Sequence, residues 1–356
     1  MVEITRRDLV ATGIVLSAPA VLGGSAFAAG IANEAAVYKL SATAVAPREQ
    51  LLFDFGWKFA FGHGSEPAKD FGFGFGQSDF SETGNFKFAK PGFDDSAWRP
   101  LDLPHDWAVE LPFVHDDSGE GDAQIRSHGY KPLGRLFPET SVGWYRREFD
   151  IPSGDLGRRI WIEFDGAFRD VIVFVNGCFI GRNNNGYAPF RFDLTDFLVY
   201  GGKNIIMIRV DASFGDGWFY EGAGVYRHVW LTKTDAVHLG RWESTVRSTQ
   251  NGNAAALALA TVVQNRGRKA ANARVCWKVI DAEGKTVTVC QTPEQSIPPH
   301  GSAKFEASTT ISNPLLWSIE NPNLYTAIVT VETGGKSVDG EKVRFGVRTA
   351  LYSSAK

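Results

Sequence analysis

The chain has 356 residues, 44% of them hydrophobic and 22% charged, with a formal net charge of -3. That length exceeds what a single core usually fills, so about two domains are expected, and the abundance of Phe, Gly and Trp argues for a globular, turn-rich, all-β protein rather than a disordered or coiled one. A near-neutral balance without a long basic run excludes the phosphate neutralisation that nucleic-acid binding requires, so no nucleic-acid partner is expected.

The first segment differs from the rest. Thr5-Arg6-Arg7-Asp8-Leu9 leads into the apolar run "LVATGIVLSAPAVLGG" and then Ala26-Phe27-Ala28. Paired arginines, a short apolar core and an A-x-A site predict a twin-arginine export signal over 1–28, a mature chain beginning near Ala29, and a periplasmic or secreted destination. The competing reading is an N-terminal membrane anchor, which the run is too short to satisfy, because a span needs about 20 residues.

From about Leu51 to Thr234 short alternating segments recur between turn residues: "LLFDFGWKFAF", "GWYRREFDIP", "RRIWIEFDGA", "DVIVFVNGCFIG", "NIIMIRVDAS" and "YRHVWLTKT". Period-two alternation over four to eight residues predicts half-buried strands, and so many in one region imply a sandwich or jelly roll over 45–235. Ile172 and Phe174 point one way and Val171, Val173 and Val175 the other, so this strand is expected to be buried on both faces. Asn176-Gly177 supplies the positive φ of a tight hairpin. One long Gly- and Phe-rich excursion, Gly62 to Gly92, is either an aromatic loop lining a cleft or a loop folded onto the body by its Phe side chains.

Beyond Asp235 polar turns recur without extended loops, predicting a smaller sandwich of immunoglobulin type over 236–350. Two of the three cysteines bracket "VCWKVIDAEGKTVTVC". A hairpin loop centred on Glu283 pairs Trp277 with Val289, Val279 with Val287, and Cys276 with Cys290. An oxidising compartment could join that last pair; because directly opposed strand positions give tight disulfide geometry, two free thiols are the alternative. Cys178 reads as a small core residue.

Glycosidases hold two carboxylates about 5 to 10 Å apart, so paired acids are the first chemistry to test. Asp94-Asp95 reads more simply as a turn cap and Asp116-Asp117 as a solvated loop, giving no catalytic residue. Nucleophile-elbow, zincin, P-loop and dinucleotide patterns do not occur, and His63, His105, His115 and His128 lack metal-ligand spacing, so neither a metal site nor a cofactor is expected. More informative is "LDLPHDWAVELPF", where His105, Asp106 and Trp107 follow Pro104. A Trp ring that covers an apolar sugar face beside a carboxylate that accepts hydroxyl hydrogens is a carbohydrate site; a core Trp beside an Asp that caps a turn is the competing reading. The same pair of readings applies to "VDASFGDGWFYEGAGVYRHVWL", with Asp211, Asp216, Trp218 and Glu221. Arg227 is expected to be a structural ion-pair partner.

"GWYRREFDIP", "FDGAFRDVIVFVNGCFIG", "GYAPFRFDLTDFL", "NIIMIRVD", "GAGVYRHVWL", "LWSIENPNLYTAIVTV" and "FGVRTA" stand in the order found in family 2 glycoside hydrolases, and the chain from Leu51 to Ala350 most resembles bacterial β-galactosidases. The resemblance implies a galactose-binding-like jelly roll, an immunoglobulin-like sandwich, then a (β/α)8 barrel bearing two catalytic glutamates. Only "LYSSAK", at 351–356, follows Ala350, whereas such a barrel takes about 250 residues. The barrel is therefore expected to be a partner, in cis or from a neighbouring reading frame, and no hydrolysis is expected of these residues alone.

By the same resemblance the jelly roll lends polar residues to a sugar pocket. Asp106 in "LPHDW" resembles the family's polar position just after its Leu-Pro pair, and Asp211 or Asp216 resembles an aspartate that touches sugar hydroxyls, with Asn183 to Asn185 forming a rim turn. Two functions are carried forward: the non-catalytic N-terminal portion of a β-galactosidase-like hydrolase, or a freestanding exported carbohydrate-binding protein. The identity of the glycoside is not set by these residues, and a homo-oligomer is compatible with them.

Overall fold

The computed structural model describes residues 48–74, 89, 92–115, 129–214 and 220–349. The expected export segment, Asp116, Asp117, His128, Asp216 and Trp218 lie outside the described residues.

Ten strands build the first sandwich: β1 (Glu49–Leu52), β2 (Trp57–Phe61), β3 (Arg99–Leu101), β4 (Val142–Ile151), β5 (Arg159–Phe164), β6 (Val171–Val175), β7 (Cys178–Asn183), β8 (Phe190–Asp193), β9 (Gly202–Asp211) and β10 (Val229–Thr234). They form a four-stranded sheet ordered β1-β10-β5-β8 and a six-stranded sheet ordered β3-β2-β4-β9-β6-β7, with antiparallel pairing throughout. This is a galactose-binding-like jelly roll.

Alternation dictates the packing. Val171, Val173 and Val175 join Ile160, Ile162, Phe164, Ile206 and Ile208 in the core between the two sheets. Ile172 and Phe174 face the opposite side, with Trp98, Trp144, Ile205 and Met207. The described part of the Gly- and Phe-rich excursion covers that outer face through Phe71 and Phe73, joined by Phe93 just after it, so β6 is buried on both sides as its sequence requires. Each fully buried large apolar side chain contributes about 1.5–3 kcal/mol. Asn176 and Gly177 make the β6–β7 turn with φ of 51° and 84°, both in the left-handed region that two-residue hairpins demand.

The second sandwich holds β11 (Val237–Leu239), β12 (Thr245–Asn251), β13 (Ala254–Asn265), β14 (Ala271–Ile280), β15 (Thr286–Gln291), β16 (Gln295–Ile297), β17 (Ser302–Ser312), β18 (Tyr325–Thr333) and β19 (Lys336–Phe345). β11 and β12 pair one edge of β13 and β17 the other; β14, β18 and β19 form the opposing sheet, with β15 and β16 on the free edge of β14. Trp277, Phe305, Val275, Val329 and Val331 fill the space between them. The arrangement is an immunoglobulin-like sandwich.

The β14–β15 register departs from the expectation. At the turn it follows the predicted pairing, Ile280 with Thr286, but a bulge between Val279 and Ile280 leaves Val287 over, and beyond it Trp277 pairs Cys290 while Cys276 pairs Gln291. One extra residue turns all subsequent side chains to the other face. Cys276 and Cys290 are therefore not cross-strand partners, and both are free thiols.

Candidate functional site

The segment 103–107 runs beside 222–225. His105 N donates to Val225 O at 2.8 Å and Trp107 N to Ala223 O at 2.9 Å. Asp106 stands at the centre of this ribbon as the N-cap of α1 (Trp107–Glu110). Its Oδ1 accepts from Ala108 N at 3.0 Å and Ala223 N at 2.9 Å, and its Oδ2 accepts from the Tyr220 hydroxyl at 2.8 Å. Glycine is required at 222, where a Cβ would lie 2.7 Å from Asp106 Oδ2. Desolvation of the hydroxyl end, then the bond to Asp106 and its charge, push the Tyr220 phenol up to about 12, although the ring is 63% exposed.

His105 is buried behind this carboxylate. Its Nε2 lies 2.7 Å from an Arg99 amino nitrogen and its Nδ1 2.8 Å from the Tyr145 hydroxyl. A guanidinium can only donate, so Nε2 accepts and Nδ1–H points at Tyr145. Burial holds the imidazole pKa below its usual value despite Glu110 at 3.3 Å. Tyr145 in turn accepts from Val225 N at 3.3 Å, so the chain Arg99–His105–Tyr145 fixes the ribbon that carries Asp106. Trp107 corrects an expectation. It has no exposed surface, donates Nε1–H to Thr140 O at 2.8 Å and lies 5.5 Å from the Phe59 ring, so it is a core residue and its face is not offered to a sugar.

Asp211 ends β9 and is also largely committed. Oδ2 takes Arg209 at 3.1 Å and Oδ1 accepts from the backbone and hydroxyl of Ser213; Arg209 continues to Asp70, which accepts from Trp144 Nε1 at 2.6 Å. Ala212, the residue after Asp211, and Gly222, the residue before Ala223, help line a cavity of about 70 Å³ together with Leu133, Gly134, Phe168 and Glu221. Small-molecule pockets run about 300–1,000 Å³, so a sugar held here needs further walls.

Sequence reasoning missed the exposed aromatic groups around this end: Tyr220, Tyr187, whose hydroxyl donates to Tyr220 O at 3.0 Å, and Phe214, with the Arg135 guanidinium 4.8 Å from its ring. Composition hinted at them, but only the loop geometry sets which rings are exposed. The segment from Asn183 to Ala188 makes a turn, Asn183 donating to Asn185 O and Asn185 Oδ1 accepting from Tyr187 N and Ala188 N. Asp94 caps a turn by accepting from Ser96 N at 3.0 Å, and Asp95 pairs with Lys58 and Arg146. Arg227 differs from expectation: it donates to the Asp165 carbonyl at 3.2 Å rather than to a carboxylate.

The remaining buried acids hold the fold. Asp54 pairs with His228, Asp70 with Arg209, Asp155 with Lys233, Glu163 with Arg241, and Asp339 with Arg48.

With this geometry in view, known proteins place the chain. The family model for glycosyl hydrolases family 2, sugar binding domain, matches residues 82–235, and that for glycosyl hydrolases family 2 matches 237–348. A β-galactosidase from Bacteroides ovatus is 34% identical over 319 residues, 89% of this chain and 33% of that protein. A putative β-glucuronidase from Formosa agariphila is 27% identical over 277 residues, 75% of this chain and 24% of its own length. Among solved structures, a glycosyl hydrolase family 2 member from Bacteroides cellulosilyticus superposes with a TM-score of 0.69 at 25% identity, covering 86% of this chain and 37% of the other. A β-glycosidase from Bacteroides vulgatus does so with a TM-score of 0.66 at 28% identity, covering 84% and 34%. The chain thus spans about a quarter to a third of the length of these curated relatives. It belongs to glycosyl hydrolase family 2, comprising that family's N-terminal sugar-binding domain and the immunoglobulin-like domain that follows it.

Proposed function

We propose that these two sandwiches are the non-catalytic portion of a β-galactosidase-like hydrolase, supplying a wall of the sugar pocket and a packing surface for a catalytic barrel. The observation that carries this reading is the commitment of the acids: each buried carboxylate named above is held by a cation or by backbone N–H groups, and Asp106 accepts three hydrogen bonds of its own. A retaining glycosidase needs two carboxylates about 5 Å apart facing a cleft, one as nucleophile and one as acid/base. In this account both come from outside the described residues. Asp106, Tyr220 and Asp211 then present oxygen atoms to sugar hydroxyls once the barrel closes the site. The paired arginines near the N-terminus support export to the periplasm or the medium.

Calorimetry tests this reading. Galactose, lactose or glucuronate titrated into the chain gives no Asp106-dependent binding tighter than about millimolar, because the cavity is open and small. Micromolar binding abolished by Asp106→Ala contradicts it and favours a freestanding carbohydrate-binding protein.

A further inference from the structure

A second cleft lies along the same ribbon, on the side of residues 226–228. It is an open cleft of about 410 Å³ lined by Pro104, Asp165, Pro189, Tyr226, Arg227, His228 and Trp242. That volume falls within the range of small-molecule sites.

Trp242 is the unusual element. It sits in the turn from Gly240 to Glu243, its backbone in the left-handed region with φ of 63°, and its ring is 51% exposed. A bulky residue in that conformation is costly, and such outliers concentrate where the side chain has a task. The ring is braced: the Arg241 guanidinium lies 5.1 Å from its centroid and is itself tied to Glu163 at 3.0 Å.

The polar wall is equally fixed. Asp165 Oδ2 accepts from Trp230 Nε1 at 3.0 Å, which orients its carboxylate. His228 Nδ1 is bound to Asp54 Oδ2 at 2.6 Å, leaving Nε2 for the cleft, and the Arg227 guanidinium is exposed. The Tyr226 hydroxyl is spent on Gly186 O at 2.8 Å, so the polar groups this cleft offers a ligand are those of Asp165, Arg227 and His228. A braced indole beside a carboxylate, a guanidinium and an imidazole matches a pyranose ring, which offers a C–H face for stacking and a rim of hydroxyls for bidentate hydrogen bonds.

We propose that this cleft is a carbohydrate-binding site, with Trp242 as the stacking platform and Asp165, Arg227 and His228 as hydroxyl partners. It is independent of the Asp106 cluster and of the function proposed above.

The test is a titration of the full chain with β-1,4-galactotetraose and, separately, with a glucuronic-acid-bearing xylotetraose, read by calorimetry and tryptophan fluorescence. At least one probe binds, Trp242→Ala weakens it by about tenfold or more, and Trp242→Phe retains most of the affinity. Asp106→Asn leaves this binding unchanged. Because Trp242 is half exposed, thermal melts of both variants should match the parent. Absence of binding by the parent chain, or binding that stays within tenfold in Trp242→Ala, overturns the proposal; affinity lost in Asp106→Asn but kept in Trp242→Ala overturns it too, by moving the sugar to the other cluster.

Discussion

Arg48 and Asp339, 291 positions apart, form a two-pronged ion pair across the junction of the two sandwiches, Nε to Oδ1 at 2.9 Å and a terminal nitrogen to Oδ2 at 2.7 Å. Asp339 also accepts from Leu239 N at 2.7 Å and has no exposed surface. Burial alone would lower the Arg48 pKa; the Asp339 and Glu341 carboxylates outweigh it and raise it.

Removing one partner strands the other charge. Asp339→Ala is expected to destabilise the fold by about 3–5 kcal/mol in urea denaturation, whereas Arg48→Met with Asp339→Leu and Glu341→Gln costs less, because no charge of the cluster is then left inside without its partner.

His238 makes the same junction sensitive to acid. Its Nδ1 donates to Asp235 O at 3.0 Å, while its buried Nε2 has no partner among the described residues. Burial, opposed by Asp339, pushes the imidazole down to about 4. A histidine depressed on folding contributes stability that is fully present above about pH 6.5 and is lost as pH falls toward its folded value. The expected loss by pH 5 is about 2 kcal/mol, with His105 adding to it in the same direction. His238→Phe should shrink the difference between urea midpoints at pH 7.5 and pH 5; an unchanged difference excludes His238 as its source.

Asp106 and Tyr220 report on each other. Asp106→Ala should lower the melting temperature through loss of a helix cap, at a cost of about 1 kcal/mol, and bring the Tyr220 phenol down from about 12 toward 10 in an ultraviolet pH titration. Tyr220→Phe removes that high-pH step.

The thiols give a simple count. Labelling of the denatured chain without reductant should modify Cys178, Cys276 and Cys290 alike. Recovery of one thiol per chain would show that the two hairpin cysteines are joined.

Much of the architecture was legible because alternation is a local property. β6 carries five apolar residues in a row, and only a strand covered on both faces accommodates that. Asn176-Gly177 was equally readable, since few residue pairs tolerate two positive φ values. Cys276 and Cys290 are offset because the turn pairs Ile280 with Thr286 as its sequence predicts, while a bulge beyond it shifts the register by one residue, and nothing in the hairpin sequence marks that extra residue. Trp107 and Asp106 show the same division. Their types suggested a sugar site, but which of the two faces outward depends on Phe59, Thr140 and Ala223, all distant in sequence. Nothing in the neighbours of Trp242 announces a left-handed, exposed indole.

The central claim is that the described residues shape a sugar site without the acids that cleave one. It is tested most directly by incubating the purified 356-residue chain with nitrophenyl β-galactoside and nitrophenyl β-glucuronide. The account predicts release no faster than the buffer blank; steady turnover proportional to protein concentration, surviving repeated purification, would contradict it.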